Sequence, residues 1–178
     1  AFTAFMLVVF TYRMETAYFR FESDTGEKKQ PYFDTAMISI ITSTVLLTSL
    51  LLIAAPALAS MLSYSDQLLL VKMAILILAL DALSEIPLSR LRLEGRPIRF
   101  AIVRLSGIFI NIGLNLFFLW FCRNAIDDSS WQWLHPLIDK IYNPEFNVGY
   151  IFLSNLVASL FVFILLSPSV LKIKLKFD

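Results

Sequence analysis

The sequence predicts an all-α integral membrane protein, a polytopic bundle of about five transmembrane helices. The first reason is composition, because 58% of the 178 residues are hydrophobic and only 16% are charged. Soluble domains have roughly 45–50% apolar and about 25% charged residues. The second reason is that five apolar segments are long enough to cross a hydrocarbon core of ~30 Å. The third is that lysine and arginine fall almost entirely on one side of those segments.

Composition also excludes several other classes of protein. Disorder needs low hydrophobicity and a high net charge, whereas this chain is apolar and has a net charge of +1. So small a charge supplies no basic field, and no nucleic-acid partner is expected. The single cysteine, Cys122, excludes a disulfide within the chain. With the single histidine, His135, it cannot form a zinc site of the usual His/Cys kind, so no metal or cofactor is expected.

The predicted spans cover residues 2–21, 33–62, 68–88, 98–121 and 148–166. Arg13 and Glu15 interrupt the first span. The second is long for one crossing, so it should be tilted or kinked, and Pro56 inside it predicts a kink. Pro97 precedes the fourth span, at a position where proline is well tolerated.

We expect one transmembrane domain over 1–178. Because the chain opens with Ala1 inside an apolar run, we also expect it to be part of a longer protein.

Lysine and arginine orient the spans through the positive-inside rule. One side has ten of them, in or beside the connections 22–30 and 89–96 and the C-terminal tail, and the other side has two, Arg123 and Lys140. The first side is therefore predicted to be cytoplasmic, with the connections 63–67 and 123–147 outside. Within the long outer connection, residues 130–142 are aromatic and amphipathic, which predicts a segment lying in the membrane interface.

The arginines of the 89–96 connection and its flank have two open interpretations. Arg90, Arg92, Arg96 and Arg99 either serve topology alone or contact phosphate groups of lipids.

Charged residues inside the spans mark a candidate site, because each costs roughly 2.5–3.5 kcal/mol at the centre of a membrane helix. Asp81 and Glu85 lie four residues apart and therefore share a face of the third span. Arg104 lies about 10 Å into the fourth span, at a depth comparable with that of Glu85. A Glu85–Arg104 ion pair is expected as a structural clamp. For both carboxylates the alternative is a site that binds a proton or sodium and couples it to transport.

Cations and amides extend this candidate site. A cation that faces a cavity attracts pyrophosphate or another anion, which makes Arg13 and Arg104 candidate anion contacts. For Arg13 the alternative is an ion pair with a carboxylate on another helix. Asn111 and Asn115 share one face of the fourth span, and Asn155 lies in the fifth. Such asparagines form hydrogen bonds between helices or, in the alternative interpretation, contact sugars.

The sequence contains no signature of an enzyme. It has no phosphate-binding glycine loop and no nucleophile elbow. The lone His135 is next to Pro136 in the predicted outer connection, and no acid–base pair or nucleophile triad can be assembled around it. The spans contain charged groups but no acid–base pair or nucleophile beside them, and this favours transport over catalysis.

One stretch resembles a known family. Residues Met14 to Phe21, M-E-T-A-Y-F-R-F, resemble the M-E-T-A-x-F-R-[FY] stretch that closes the second membrane helix of polysaccharide flippases. These flippases belong to the multidrug/oligosaccharidyl-lipid/polysaccharide exporter superfamily. The basic connection that ends at Pro97, the asparagine pair and the opening Val148-Gly149-Tyr150 of the last span are also similar, so the resemblance covers essentially the whole chain. It departs at Arg13, where the pattern usually has a small residue.

The resemblance implies a partial N-terminal lobe of a MATE-like flippase fold, with the five spans as helices two to six. It implies a transporter that flips polyprenyl-pyrophosphate oligosaccharides from the inner to the outer leaflet of a bacterial cytoplasmic membrane, for cell-surface polysaccharides such as lipopolysaccharide. The expected partners are that lipid-linked oligosaccharide, membrane lipids and the rest of its own chain. The alternatives are a cation-coupled multidrug antiporter of the same superfamily, a membrane-embedded glycan polymerase or acyltransferase, and a non-transporting scaffold.

Overall fold

A computed structural model describes residues 2–12, 14–24, 29–61, 67–124, 142–143, 146 and 148–170. Helices account for 94% of this part of the chain, which contains no strand. The elements are α1 (Phe2–Thr11), α2 (Met14–Asp24), α3 (Lys29–Met61), α4 (Leu68–Leu93), α5 (Pro97–Asn115), a π-helical segment (Leu116–Cys122) that continues α5, and α6 (Gly149–Val170). The all-α class that the sequence predicted is confirmed for these residues.

The predicted first span over 2–21 is not one continuous helix, which corrects the sequence interpretation. Between α1 and α2, Tyr12 has a left-handed φ of 34°, a conformation that a bulky residue rarely adopts. Contacts to other helices hold both sides of this break. The Tyr12 hydroxyl is hydrogen-bonded to Ser39 Oγ of α3 at 2.5 Å, and Glu15 of α2 pairs with Arg92 of α4 at 2.7 Å. At 1.5 Å per residue, the described α1 is about 15 Å long.

α3 has 33 residues, so it is about 50 Å long and exceeds the hydrocarbon thickness of a bilayer. It begins at Lys29, ahead of the predicted start at 33. Pro56 lies inside the helix, where the Leu52 carbonyl loses its usual backbone donor. The hydroxyls of Thr42 and Ser49 donate to carbonyls one turn earlier, at 2.9 and 2.7 Å. The hydroxyls of Thr42 and Ser49 therefore form their hydrogen bonds within the helix itself.

A Schellman turn at Gly95 connects α4 to α5. Gly95 has a φ of +66°, which glycine adopts without steric cost. Its N–H donates to the Arg92 carbonyl at 3.2 Å, and the Arg96 N–H donates to the Leu91 carbonyl at 3.1 Å. Pro97 then opens α5 in its first turn, where its missing N–H removes no helical hydrogen bond. This turn brings the end of α4 beside the start of α5.

α4 is the central helix of the described bundle, and it continues past its predicted end at residue 88. It packs against α1, α2, α3, α5 and α6. Its buried residue Ile86 packs with Tyr18 of α2 and Met37 of α3. Leu88, two residues further on, packs with Leu166 of α6. A side chain on α4 is therefore in reach of most of the other helices.

One end of the bundle is closed by an aromatic cluster between the π-helical segment and α6. The Phe118 ring stacks on the Tyr150 ring with 4.6 Å between their centroids, and Tyr142 stacks on Tyr150 at 5.1 Å. The Tyr150 hydroxyl accepts a hydrogen bond from the Asn143 backbone N–H at 2.7 Å. The remainder of the predicted interfacial segment over 130–142 lies outside the described residues, as does the connection 63–66.

Three of the described helices are long and apolar enough to cross a membrane: Phe33–Met61, Pro97–Cys122 and Gly149–Pro168. They correspond to the predicted second, fourth and fifth spans, and they make the chain compatible with a multi-pass membrane protein. Exposed apolar side chains follow one face of α5 and its π-helical continuation: Ile98, Ile102, Phe109, Ile112, Leu116 and Trp120. So continuous an apolar stripe is typical of a surface that lipid or another helix covers.

Candidate functional site

A polar cleft of about 250 Å³ lies between α1, α4, α5 and α6. It contains five of the residues that the sequence selected: Asp81, Glu85, Arg104, Asn111 and Asn155. Two further polar residues, Ser84 and Ser159, also line it, and Leu7, Gly107, Ile108, Ala158 and Val162 complete the wall. Four helices, of which α5 and α6 are long and apolar enough to cross a membrane, therefore enclose a space with charged and amide side chains.

The spacing of residues along each helix explains why they meet. On α5, Arg104, Gly107 and Asn111 are three and four residues apart, so they lie on one face. On α6, Asn155 and Ser159 are four apart and share a face in the same way. Gly107 allows this face of α5 to approach α6 closely, because a Cβ built on it would lie 2.6 Å from Val162 Cγ2. The small residue therefore sets the width of the cleft.

A network of charges occupies the end of the cleft near the α4–α5 turn. Arg104 Nη2 is 3.5 Å from Glu85 Oε2, and Arg92 Nη2 is 3.7 Å from Glu85 Oε1. The same Arg92 nitrogen is 2.7 Å from Glu15 Oε1. Glu85 is only 18% exposed and Arg104 is 50% exposed. The ion pair expected between Glu85 and Arg104 is thus present, and α2, α4 and α5 are joined by a chain of four charged side chains.

Asp81 lies one turn before Glu85 and has a different environment. Its Oδ1 accepts a hydrogen bond from the Ser159 hydroxyl of α6 at 2.7 Å. In the part of the chain that the structure describes, Asp81 takes part in no salt bridge within 4.0 Å. A carboxylate with a neutral donor and no cation at contact distance is a ready acceptor for a proton or a metal cation.

The asparagines form a ladder between α5 and α6. The Asn111 amide donates to Asn155 Oδ1 at 3.0 Å, and the Asn115 amide donates to Asn111 Oδ1 at 2.6 Å. One hydrogen bond between helices, Asn111 to Asn155, is therefore present, and the Asn115–Asn111 bond lies within α5. Asn111 and Asn155 also line the cleft, whereas Asn115 does not. If asparagines contact sugars, as the alternative interpretation holds, only Asn111 and Asn155 of these three line the cleft where a sugar could bind.

Replacing Asn111 with leucine should destabilise the bundle more than the same change at Asn115 or Asn155. Asn111 is the only one of the three that makes both ladder hydrogen bonds, so its loss leaves two amides unpaired. Such bonds are worth about 0.6 kcal/mol each on average in membrane bundles, and up to about 1.7 kcal/mol. We therefore expect a loss of about 1–2 kcal/mol in the free energy of unfolding. Equilibrium unfolding of the detergent-solubilised protein measures it, and equal losses at all three positions would contradict the ladder.

Not every residue selected from the sequence is brought into the cleft. Arg13 lies outside the described residues. The basic residues beside the cleft are engaged with carboxylates, since Arg90 Nε is 2.7 Å and Arg96 Nε is 3.4 Å from the carboxylate of Glu94. Arg99 is exposed and does not line the cleft.

Sequence reasoning missed one residue of the site and one ion pair beside it. Ser159 was not selected, although its position four residues after Asn155 places it on the same face of α6. The Glu15–Arg92 pair was also missed, because it joins residues that are far apart in the chain. No local spacing in the sequence indicates the Glu15–Arg92 pair. The four-residue spacing from Asn155, in contrast, would have indicated Ser159.

The side chains of the cleft offer contacts to ligands of different chemistry. Among the described residues, no group of three or more His, Cys, Asp or Glu side chains is arranged to hold a metal ion. The hydroxyl of Ser84 donates to the Leu80 carbonyl of its own helix at 2.8 Å. What faces the cleft is a half-exposed guanidinium, two carboxyls and two amides, which can bind an anion, a cation and hydroxyl groups.

Comparison of the chain with protein-family models, with curated proteins and with solved structures finds no match. The polar cleft between α1, α4, α5 and α6 is the candidate site.

Proposed function

We propose that this chain is part of a membrane transporter that moves lipid-linked oligosaccharides, such as polyprenyl-pyrophosphate glycans, from the inner to the outer leaflet. The observation that supports it is the polar cleft between α1, α4, α5 and α6. Polar groups at this depth are expensive unless they serve a substrate or an ion. The resemblance of residues 14–21 to polysaccharide flippases supports the same function.

The lining of the cleft suits each part of such a substrate. Arg104 is half exposed and offers the fork of donors that binds phosphate oxygens well. The amides of Asn111 and Asn155 and the hydroxyl of Ser159 suit sugar hydroxyls, because each both donates and accepts hydrogen bonds. The exposed apolar stripe of α5 would meet the polyprenyl chain in the surrounding lipid.

The same proposal assigns the chain to a bacterial cytoplasmic membrane, with the remaining helices of its own protein as partners. Three helices of membrane length are compatible with a multi-pass protein. The excess of lysine and arginine beside 22–30, 89–96 and the C-terminal tail favours a cytoplasmic position for those segments. The proposal also makes the protein a transporter rather than an enzyme.

A cation-coupled multidrug antiporter of the same superfamily is the second candidate. Asp81 favours it, because this carboxylate accepts from Ser159 and has no cation at contact distance among the described residues. A positively charged drug or a coupling cation would find a counter-charge there. Arg104, on the opposite wall of the cleft, favours the anionic substrate instead.

The test is deletion of the gene for the full-length protein in its host, followed by rescue. We expect polyprenyl-linked oligosaccharide to accumulate in the cytoplasmic leaflet and surface polysaccharide to disappear. Rescue with Arg104→Gln should fail in large part, because loss of one charge-assisted contact of about 1.5–3 kcal/mol lowers substrate binding roughly 10- to 100-fold. Arg99→Gln is the matched control and should rescue fully, since this arginine is exposed and outside the cleft.

Other outcomes would separate the candidates. Unchanged lipid-linked glycan together with greater sensitivity to cationic drugs would replace the flippase with the antiporter. In that case Asp81→Asn, and not Arg104→Gln, should abolish rescue. Equal rescue by the Arg104 and Arg99 variants, with glycan transport intact, would remove Arg104 from the substrate site.

A further inference from the structure

The end of α4 and the start of α5 contain four arginines, of which two are engaged with neighbouring side chains of the bundle. Arg90 Nε is 2.7 Å from the carboxylate of Glu94, and the Arg90 guanidinium lies 4.3 Å from the centre of the Phe33 ring on α3. Arg92 Nη2 is 2.7 Å from Glu15 Oε1 on α2. The charges of Arg90 and Arg92 are therefore used within the protein.

The other two arginines, Arg96 and Arg99, are exposed at the surface of the turn. Arg96 Nε is 3.4 Å from one oxygen of Glu94, whose other oxygen already pairs with Arg90. No carboxylate among the described residues lies within 4.0 Å of Arg99. The single carboxylate beside these arginines therefore leaves an excess of positive charge at this surface.

An apolar stripe begins where this positive charge ends. Ile98 is 75% exposed and Ile102 is 59% exposed, and their spacing of four residues places them on one face of α5. Arg99 lies three residues before Ile102 and therefore borders that face. The same face continues through the exposed Leu105 and Phe109, on a helix that is long and apolar enough to cross a membrane. Cations at one end of an apolar face match the layout of a phospholipid, which has a charged head group and apolar acyl chains.

We propose that Arg96 and Arg99 bind the phosphate of an anionic phospholipid, such as phosphatidylglycerol, whose acyl chains lie along the apolar stripe from Ile98 and Ile102 onward. Guanidinium groups bind phosphate oxygens through strong, paired hydrogen bonds. An anionic lipid complements the excess positive charge, whereas a zwitterionic lipid brings a cation of its own to the same place. The acyl chains cover apolar side chains that the described part of the protein leaves exposed.

This inference goes beyond the proposed transport, because neither arginine lines the polar cleft. Arg99→Gln removes one of the two phosphate contacts and leaves the residues of the cleft in place. Full rescue of transport by that variant is therefore compatible with weaker lipid binding at this surface.

Native mass spectrometry of the full-length protein in detergent tests the inference. The probes are phosphatidylglycerol and phosphatidylcholine with the same acyl chains, titrated separately. Each arginine near an anionic lipid strengthens binding about fivefold, so two should give a preference for phosphatidylglycerol of up to about 30-fold. Equal affinity for the two lipids would overturn the inference and leave the proposed transporter intact.

Variants assign the preference to this surface. Arg96→Gln combined with Arg99→Gln should abolish the preference, whereas Arg96→Lys combined with Arg99→Lys keeps the charge and should retain most of it. Lys72→Gln is the matched control, because Lys72 is an exposed cation about 30 Å away, near the other end of α4. Its preference should equal that of the wild type. An unchanged preference in the double glutamine variant would overturn the assignment.

Replacing Glu94 should change the binding in the opposite direction. Its carboxylate competes with a lipid phosphate for Arg96, and glutamine keeps an oxygen that can accept from Arg90. We expect Glu94→Gln to bind phosphatidylglycerol about fivefold more tightly, with little change for phosphatidylcholine. Weaker binding of phosphatidylglycerol by Glu94→Gln would contradict a contact between Arg96 and the phosphate.

Two further measurements identify what occupies the surface. Glycerophosphoglycerol, the same head group without acyl chains, should displace the lipid only in large excess. Displacement at equal concentration would make a soluble phosphate the ligand and would overturn the lipid assignment. A photoreactive phenylalanine analogue in place of Ile102 should crosslink to phosphatidylglycerol in nanodiscs. Crosslinks to another segment of the protein instead would show that protein covers this face, which would also overturn the inference.

Discussion

Replacing Gly107 with leucine should separate α5 from α6 and abolish the transport that we propose. A Cβ at this position would lie 2.6 Å from Val162 Cγ2, and valine has little rotamer freedom in a helix with which to move away. Overpacking of this kind costs about 1–3 kcal/mol, and leucine adds further atoms beyond the Cβ. We therefore expect a loss of about 3 kcal/mol or more in the free energy of unfolding, measured by equilibrium unfolding in detergent.

Gly113 provides the matched control on the same helix, because a Cβ built there meets nothing within 4 Å. Gly113→Leu should leave both the free energy of unfolding and transport close to those of the wild type. The pair Gly107→Ala and Val162→Ala should restore part of what Gly107→Ala alone removes, since the second change empties the space that the first one fills. Equal effects of leucine at Gly107 and at Gly113 would contradict the close approach of α5 and α6.

Replacing Tyr150 with alanine should have the second large effect. The side chain is 4% exposed, and its ring stacks on those of Phe118 and Tyr142. Truncation of a buried aromatic side chain costs about 3–5 kcal/mol, because it removes the buried atoms and leaves a cavity. The expected result is a loss of that size in the free energy of unfolding, with the π-helical segment detached from α6.

Two further variants separate the contributions of Tyr150. Tyr150→Phe removes only the hydroxyl that accepts from the Asn143 N–H, so we expect a loss of about 1 kcal/mol. Phe109→Ala is the control for an exposed aromatic, since Phe109 is 71% exposed, and it should change the free energy of unfolding little. A loss at Phe109 as large as the loss at Tyr150 would show that the aromatic cluster has no special role in stability.

The spans that the sequence predicted well are those that the structure forms as long, apolar helices. α3, α6 and α5 with its π-helical continuation lie within a few residues of the predicted limits. The segment 2–21 was predicted wrongly as one helix because hydropathy measures length and polarity, not backbone direction. At this break the Tyr12 hydroxyl is hydrogen-bonded to Ser39 of α3, a contact that no local pattern of the sequence contains.

The sequence predicted which residues form the candidate site, but it did not predict the partner of each residue. Asp81 and Glu85 were selected because charge inside a span is costly, and both line the cleft. Their partners differ for reasons that lie on other helices. Glu85 meets Arg104 because the Gly95 turn sets α5 beside α4, whereas Asp81 faces Ser159 of α6.

The sequence by itself determined that this is an apolar, helical chain with costly polar residues at helical spacing, because composition and periodicity are local properties. Only the tertiary structure decided which of those residues meet. The Glu15–Arg92 contact and the Asn111–Asn155 contact join residues 77 and 44 positions apart. Such contacts form where helices cross, and crossing geometry depends on small residues such as Gly107 and on the packing of whole helix faces.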